Sequence, residues 1–119
     1  MRLFKSIAKA LTPVSIRTVS AAEAKQLIES SRPPFILDVR QPAEFQSGHI
    51  PNAVLVPLNE LPAEMSKLPK NVDILTVCRS GARSAAAARQ LSEAGFRVIN
   101  LRGGMMAWES AGYDVKRGR

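Results

Sequence analysis

Residues 72–84, Val72-Asp73-Ile74-Leu75-Thr76-Val77-Cys78-Arg79-Ser80-Gly81-Ala82-Arg83-Ser84, decide how this chain folds. Ile74, Leu75 and Val77 make residues 72–77 read as an interior strand that delivers Cys78 at its carboxyl end. Gly81 permits the positive φ of a tight loop, and the Ala-rich run over 84–94 reads as a helix ended by Gly95. A buried strand, a short loop and a helix form the repeating unit of a parallel sheet covered by helices. In open sheets of this kind ligands gather at the carboxyl ends of the strands, where Cys78 lies.

The same alternation continues on both sides. Upstream, 16–19 reads as a short strand, and Ser20-Ala21-Ala22-Glu23 is a capping box for a helix reaching Ser30 or Ser31, with Ala24, Leu27 and Ile28 facing inward. Pro33-Pro34 ends that element, and Phe35-Ile36-Leu37-Asp38-Val39 is a continuous apolar run with one acid, the pattern of a doubly buried strand. Pro42 opens a short helix through Phe45, closed by Gly48. Residues 54–56 read as a brief strand and 59–67 as a helix or an irregular turn. Downstream, 97–101 is a last strand, and Gly103-Gly104 leads into a helix over 105–110. The expectation is an α/β domain of three layers, with a central, mostly parallel sheet of about five strands flanked by helices.

With 119 residues, 45% apolar and 23% charged, the chain has room for one globular domain and not for two. No apolar run approaches the ~20 residues of a membrane span, so an integral membrane segment is excluded. One cysteine and one histidine, Cys78 and His49, cannot supply a zinc or iron–sulfur site built from soft ligands, and a single cysteine forbids an internal disulfide.

The net charge of +7 resides at the ends. Arg2, Lys5, Lys9 and Arg17 precede any acid, and Lys116, Arg117 and Arg119 form a basic tail over 116–119, while residues 18–115 carry ten cations and ten acids. With 5% aromatic residues and no basic face, nucleic-acid binding is not expected; solvated, weakly anion-attracting termini are. Residues 1–15 read as a basic amphipathic extension, Leu3, Phe4, Ile7, Ala8 and Leu11 opposing Arg2, Lys5 and Lys9. Lys5 and Lys9 interrupt any secretory core, which favours a cytoplasmic protein; organelle targeting or weak membrane-surface attachment through 1–15 is the alternative.

The chemistry converges on the loop after Cys78. Its backbone N–H groups open a helix and face an anion, the helix contributes about half a positive charge, and Arg79 and Arg83 add two guanidiniums. Such surroundings favour thiolate over thiol, because a depression of about two units below the usual ~8.5 ionises most of the thiol at neutral pH.

These residues carry a family resemblance. Asp38-Val39-Arg40, Glu44-Phe45, Gly48-His49-Ile50-Pro51-Asn52-Ala53, the loop from Cys78 to Ser84, and Gly103-Gly104-Met105 with Ala107-Trp108 occur in the order found in single-domain rhodaneses, and the likeness extends over about 16–115. Asn52 stands where the family commonly has Gly, a turn that Asn tolerates. The resemblance implies a ping-pong sulfurtransferase. Cys78 attacks the sulfane sulfur of thiosulfate, holds it as a persulfide and passes it to cyanide or a thiol, with no metal and no other cofactor. Arg79 and Arg83 hold the sulfonate oxygens; Arg79, Ser80, Gly81, Ala82, Arg83 and Ser84 together form the substrate cradle, with Ser84 equally readable as a helix cap. The implied alternative is a persulfide-carrier or regulatory module loaded by a partner protein. The related phosphatase loop has His before the Cys and five residues before its Arg; here Val77 precedes Cys78 and only four residues separate it from Arg83, a cradle sized for sulfur.

Other polar residues read as supports. Asp38, at a buried strand end, is expected to organise loop amides or to pair with an Arg. Arg40 and Glu44 read as a local ion pair at helical spacing, His49 as a structural hydrogen-bonding residue in its Gly-His-Ile-Pro turn, and Trp108 as core.

Overall fold

The computed structural model describes residues 16–119. The basic extension over 1–15, with the targeting role considered for it, lies outside the described residues.

The chain runs β1 (Arg17–Val19), α1 (Ala21–Ile28), β2 (Phe35–Asp38), α2 (Pro42–Ser47), β3 (Val54–Leu55), α3 (Leu61–Glu64, continued at both ends by single 3₁₀ turns), β4 (Ile74–Val77), α4 (Ala82–Glu93), β5 (Val98–Leu101) and α5 (Gly104–Ser110). All five strands are parallel, in the order β1-β5-β4-β2-β3. The expected sheet is therefore present, parallel throughout.

Strand alternation builds the layers. Ile36, Leu75, Val77, Ile99 and Leu101 face one side, where Ala21 and Ala24 of α1 and Met105 and Trp108 of α5 cover them. Leu37, Val39, Ile74 and Cys78 face the other, beneath Leu61, Ala87 and Leu91 of α3 and α4. The three inner strands β2, β4 and β5 are buried on both faces, hence their unbroken apolar reading, while the edge strands β1 and β3 are partly exposed. Along β4 the alternation fixes the chemistry: the residue after Val77 must point to the α4 side.

Local signals placed most boundaries. Ser20 Oγ accepts from Glu23 N and Glu23 Oε1 accepts from Ser20 N, the expected capping box. Pro42 occupies the first turn of α2, Gly48 closes it, and Asn52 takes the left-handed φ of 72°. Three expectations need correction. The strand expected over 72–77 begins at Ile74, because its neighbour β2 starts at Phe35 and Pro33-Pro34 have no N–H to extend the ladder. Helix α4 begins at Ala82, two residues before the expected start, because Gly81 at φ 110° turns the chain directly into it. The tail is not simply solvated: Lys116 pairs antiparallel with His49, and Gly118 N donates to Gln46 O at 2.8 Å, which ties the last residues to α2.

Candidate active site

Helix α5 orients the loop that follows Cys78. Met105 N donates to Cys78 O at 2.8 Å and Met106 N to Arg79 O at 3.0 Å. In a trans peptide the C=O and N–H point in opposite directions, so turning these two carbonyls towards α5 aims the Arg79 and Ser80 N–H groups the other way, into the loop. Gly104 makes the approach possible. At φ 52° it is left-handed, and a Cβ there would collide with the Cys78 carbonyl and the Arg79 backbone.

Cys78 itself is buried, and its Sγ accepts a hydrogen bond from Gly81 N at 3.1 Å. Burial pushes the thiol up; the Ser84 hydroxyl and the backbone amides of Ser84, Gly81 and Ser80 more than offset this, so the thiol sits below its ordinary value. The 12-residue helix α4 starts at the sulfur and adds its dipole. This surface of donors can hold a thiolate or a persulfide anion.

Beneath the loop lies a polar network of Thr76, Asn100 and Gly81. Thr76 Oγ1 donates to Asn100 Oδ1 at 3.3 Å, and Asn100 Nδ2 reaches Gly81 O at 3.5 Å. The same carbonyl accepts from Ser84 Oγ at 3.2 Å and Ala85 N at 3.1 Å. Ser84 therefore lies inside the first turn of α4 and is not its cap; Gly81 holds that position. The Ser84 hydroxyl donates to the Gly81 carbonyl.

The arginines are less alike than the sequence suggested. Arg40 and Glu44 do not pair. Arg40 precedes the helix that starts at Pro42, so the two never share a helical face; its guanidinium turns back instead onto Asp38, with Nη2–Oδ2 at 2.7 Å and Nε–Oδ1 at 2.9 Å, and also donates to Gly48 O at 2.8 Å. Asp38 Oδ1 further accepts from Arg40 N, at 3.1 Å. Asp38 is thus bound to an Arg, as expected, in a buried knot joining the end of β2 to the end of α2. Glu44 pairs with Arg83, 39 residues away, both guanidinium arms at 2.8 Å. The Arg83 guanidinium is the main cause that holds the Glu44 carboxyl down at about 2. Arg79 is exposed and lines, with Met105, Met106 and Glu44, a cleft of about 410 Å³ beside the loop.

His49 behaves as a support. Its Nδ1–H donates to Phe45 O at 2.8 Å, the ring stacks on Phe45 with centroids 3.6 Å apart, and it is buried. Trp108 is core, its Nε1 donating to Asp114 O at 2.9 Å. Sequence reasoning missed Thr76, Asn100 and the Glu44–Arg83 pair, and it took Gly104 for a simple turn. The available signal for the first two was a polar residue inside each apolar strand. Among the described residues no cluster of potential ligands could hold a metal, and no helix is long and apolar enough to cross a membrane.

The family model of the rhodanese-like domain matches residues 20–111. The chain belongs to the rhodanese-like domain family. A protein of Allochromatium vinosum named "Sulfurtransferase" is 37% identical over 101 residues, covering 84% of this chain and 94% of that protein. A Bacillus subtilis protein named "Putative sulfur carrier protein YrkF" is 40% identical over 95 residues, which cover 79% of this chain and 51% of that one. Among solved structures, a rhodanese-related protein from Thermoplasma volcanium superimposes with a TM-score of 0.79 at 33% identity, covering 84% of this chain and 97% of that chain. The chain is accordingly a sulfurtransferase-like rhodanese domain.

Proposed function

We propose that this rhodanese domain moves the sulfane sulfur of thiosulfate to cyanide or a thiol acceptor through a persulfide on Cys78. The observation that carries the reading is the ring of donors around a buried sulfur, with Gly81 N at 3.1 Å and the neighbouring carbonyls turned away. The Cys78 thiolate attacks the outer sulfur of thiosulfate, the S–S bond breaks, and its electron pair leaves with sulfite. The persulfide then occupies the space that the amides of Ser80, Gly81 and Ser84 surround. An acceptor thiolate or cyanide takes the outer sulfur and returns Cys78 to the thiolate. Arg79 reaches the sulfonate oxygens directly; Arg83 contributes through the donors not used on Glu44. Ala82 offers only its backbone, Asp38 and Arg40 support the loop region, and the chemistry calls for no cofactor. A cytoplasmic setting, where a lone thiol stays reduced, suits it.

A second reading, a persulfide carrier loaded by a partner protein, is supported by the 40% identity to a protein named as a sulfur carrier. Thiocyanate formation from thiosulfate and cyanide separates the two. Ordinary turnover abolished by Cys78→Ser supports the enzyme; sluggish turnover beside rapid loading by a protein persulfide supports the carrier.

A further inference from the structure

Arg79 and Arg83 belong to the Cys78 loop and the helix start, Arg40 lines the cleft with Arg79, and the carboxylate partners of the three are unevenly shared. Arg40 is neutralised by Asp38 and Arg83 by Glu44, while among the described residues Arg79 forms no ion pair. The Glu44 carboxylate is held firmly. Its Oε1 accepts Gln41 N at 3.0 Å as well as Arg83 Nη1, and Pro42 fixes the turn that carries it. Glu44 also lines the cleft that leads to Arg79, so its charge faces any anion entering there.

We infer that Glu44 is a specificity-determining residue: by neutralising Arg83 it weakens the preference of the cleft for an anion of two negative charges and brings an anion of one charge within competition. The inference rests on the sulfurtransferase reading of the site. Electrostatic energy scales with ligand charge, so each uncompensated cation added to the cleft strengthens a dianion twice as much, in logarithm, as a monoanion. With Arg79 alone uncommitted, a singly charged sulfane compound, an organic thiosulfonate RSO₂S⁻, becomes a competitive donor beside the thiosulfate dianion. The step balances. The Cys78 thiolate forms a bond to the outer sulfur, the sulfur–sulfonyl bond breaks, and its electron pair leaves with the sulfinate RSO₂⁻. The total charge stays at two negatives, carried by the sulfinate and the persulfide.

The test measures binding without sulfur transfer. Protection of Cys78 from alkylation by neutral iodoacetamide, read by intact mass, yields dissociation constants for two unreactive probes, sulfate and methanesulfonate. Glu44→Gln preserves the bond to Gln41 N, since Gln also serves at this position of a capping box. The expected result is a sulfate dissociation constant lowered about tenfold and a methanesulfonate constant lowered about threefold. Glu109→Gln, which removes another carboxylate of the cleft without releasing an arginine, is expected to do less than half as much in logarithm. Arg83→Met is expected to cancel the gain in the double variant. A sulfate constant within twofold of the native one, an equal change for both probes, a Glu109→Gln gain matching that of Glu44→Gln, or a gain that survives Arg83→Met would each overturn the inference. A chain that never forms a persulfide would overturn the sulfurtransferase reading instead and leave these binding constants to be judged on their own.

Discussion

Replacing Gly104 by Ala strikes the contact that shapes the loop. The added methyl meets the Cys78 carbonyl and the Arg79 backbone, neither of which is a flexible side-chain end, and Gly104 sits at φ 52° where a non-glycine residue is strained by roughly 1–2 kcal/mol. Relief requires α5 to back away, which breaks the Met105 N–Cys78 O and Met106 N–Arg79 O hydrogen bonds, each worth about 0.5–1.5 kcal/mol. The sum is about 2–5 kcal/mol of lost stability, or roughly 10–25 °C in melting temperature for a domain of this size. The chemical consequence is more specific. Once the two carbonyls are released their peptides rotate, fewer amides face Cys78, and the thiol moves back up towards its ordinary range. Thermal melts followed by circular dichroism, with the pH profile of Cys78 alkylation at a temperature where the variant is folded, report the two effects separately. A variant that melts within a few degrees of the native chain and keeps its alkylation profile would refute the role assigned to α5.

Ser84→Ala keeps the helix but removes a hydroxyl that favours the thiolate, so the alkylation profile should move to the alkaline side, and an unmoved profile would contradict this. Asp38→Asn leaves Arg40 buried without its counter-charge and should lower stability by about 3–5 kcal/mol in urea titrations, whereas a change under 1 kcal/mol would show that Arg40 finds another partner. Because the Glu44 carboxyl is held at about 2, down from 4.5, its stabilising contribution is complete above pH ~5 and fades as the pH falls from 4.5 towards 2. The pair is about a third exposed, which limits the effect to roughly 1 kcal/mol. Urea midpoints of native and Glu44→Gln protein should therefore differ at pH 6 and converge near pH 2; an equal gap at both would rule the ion pair out as its source.

The elements were legible because their signals are local. The capping box at Ser20, the Pro42 start, the Asn52 turn and the Gly81 loop each act through neighbours within a few residues, and the apolar strands follow from burial on both faces. The loop was legible for the same reason: Cys78 through Ser84 is contiguous. What the sequence concealed lies in pairs formed across the fold. Arg83 meets Glu44 only because the sheet places α2 beside α4, and local spacing offered Arg40 as the nearer partner. Thr76 and Asn100 meet because β4 and β5 are paired in register, Thr76 opposite Asn100. The demand on Gly104 arises from a backbone 26 residues earlier in the chain. Register and close approach are tertiary facts, and neither leaves a periodic trace.

The central claim is tested most directly by the intact mass of the native chain after exposure to thiosulfate under conditions that protect persulfides, beside the Cys78→Ser variant. One sulfur atom added to the native chain alone is the predicted result. An unmodified native chain, or equal addition to both proteins, would contradict the account.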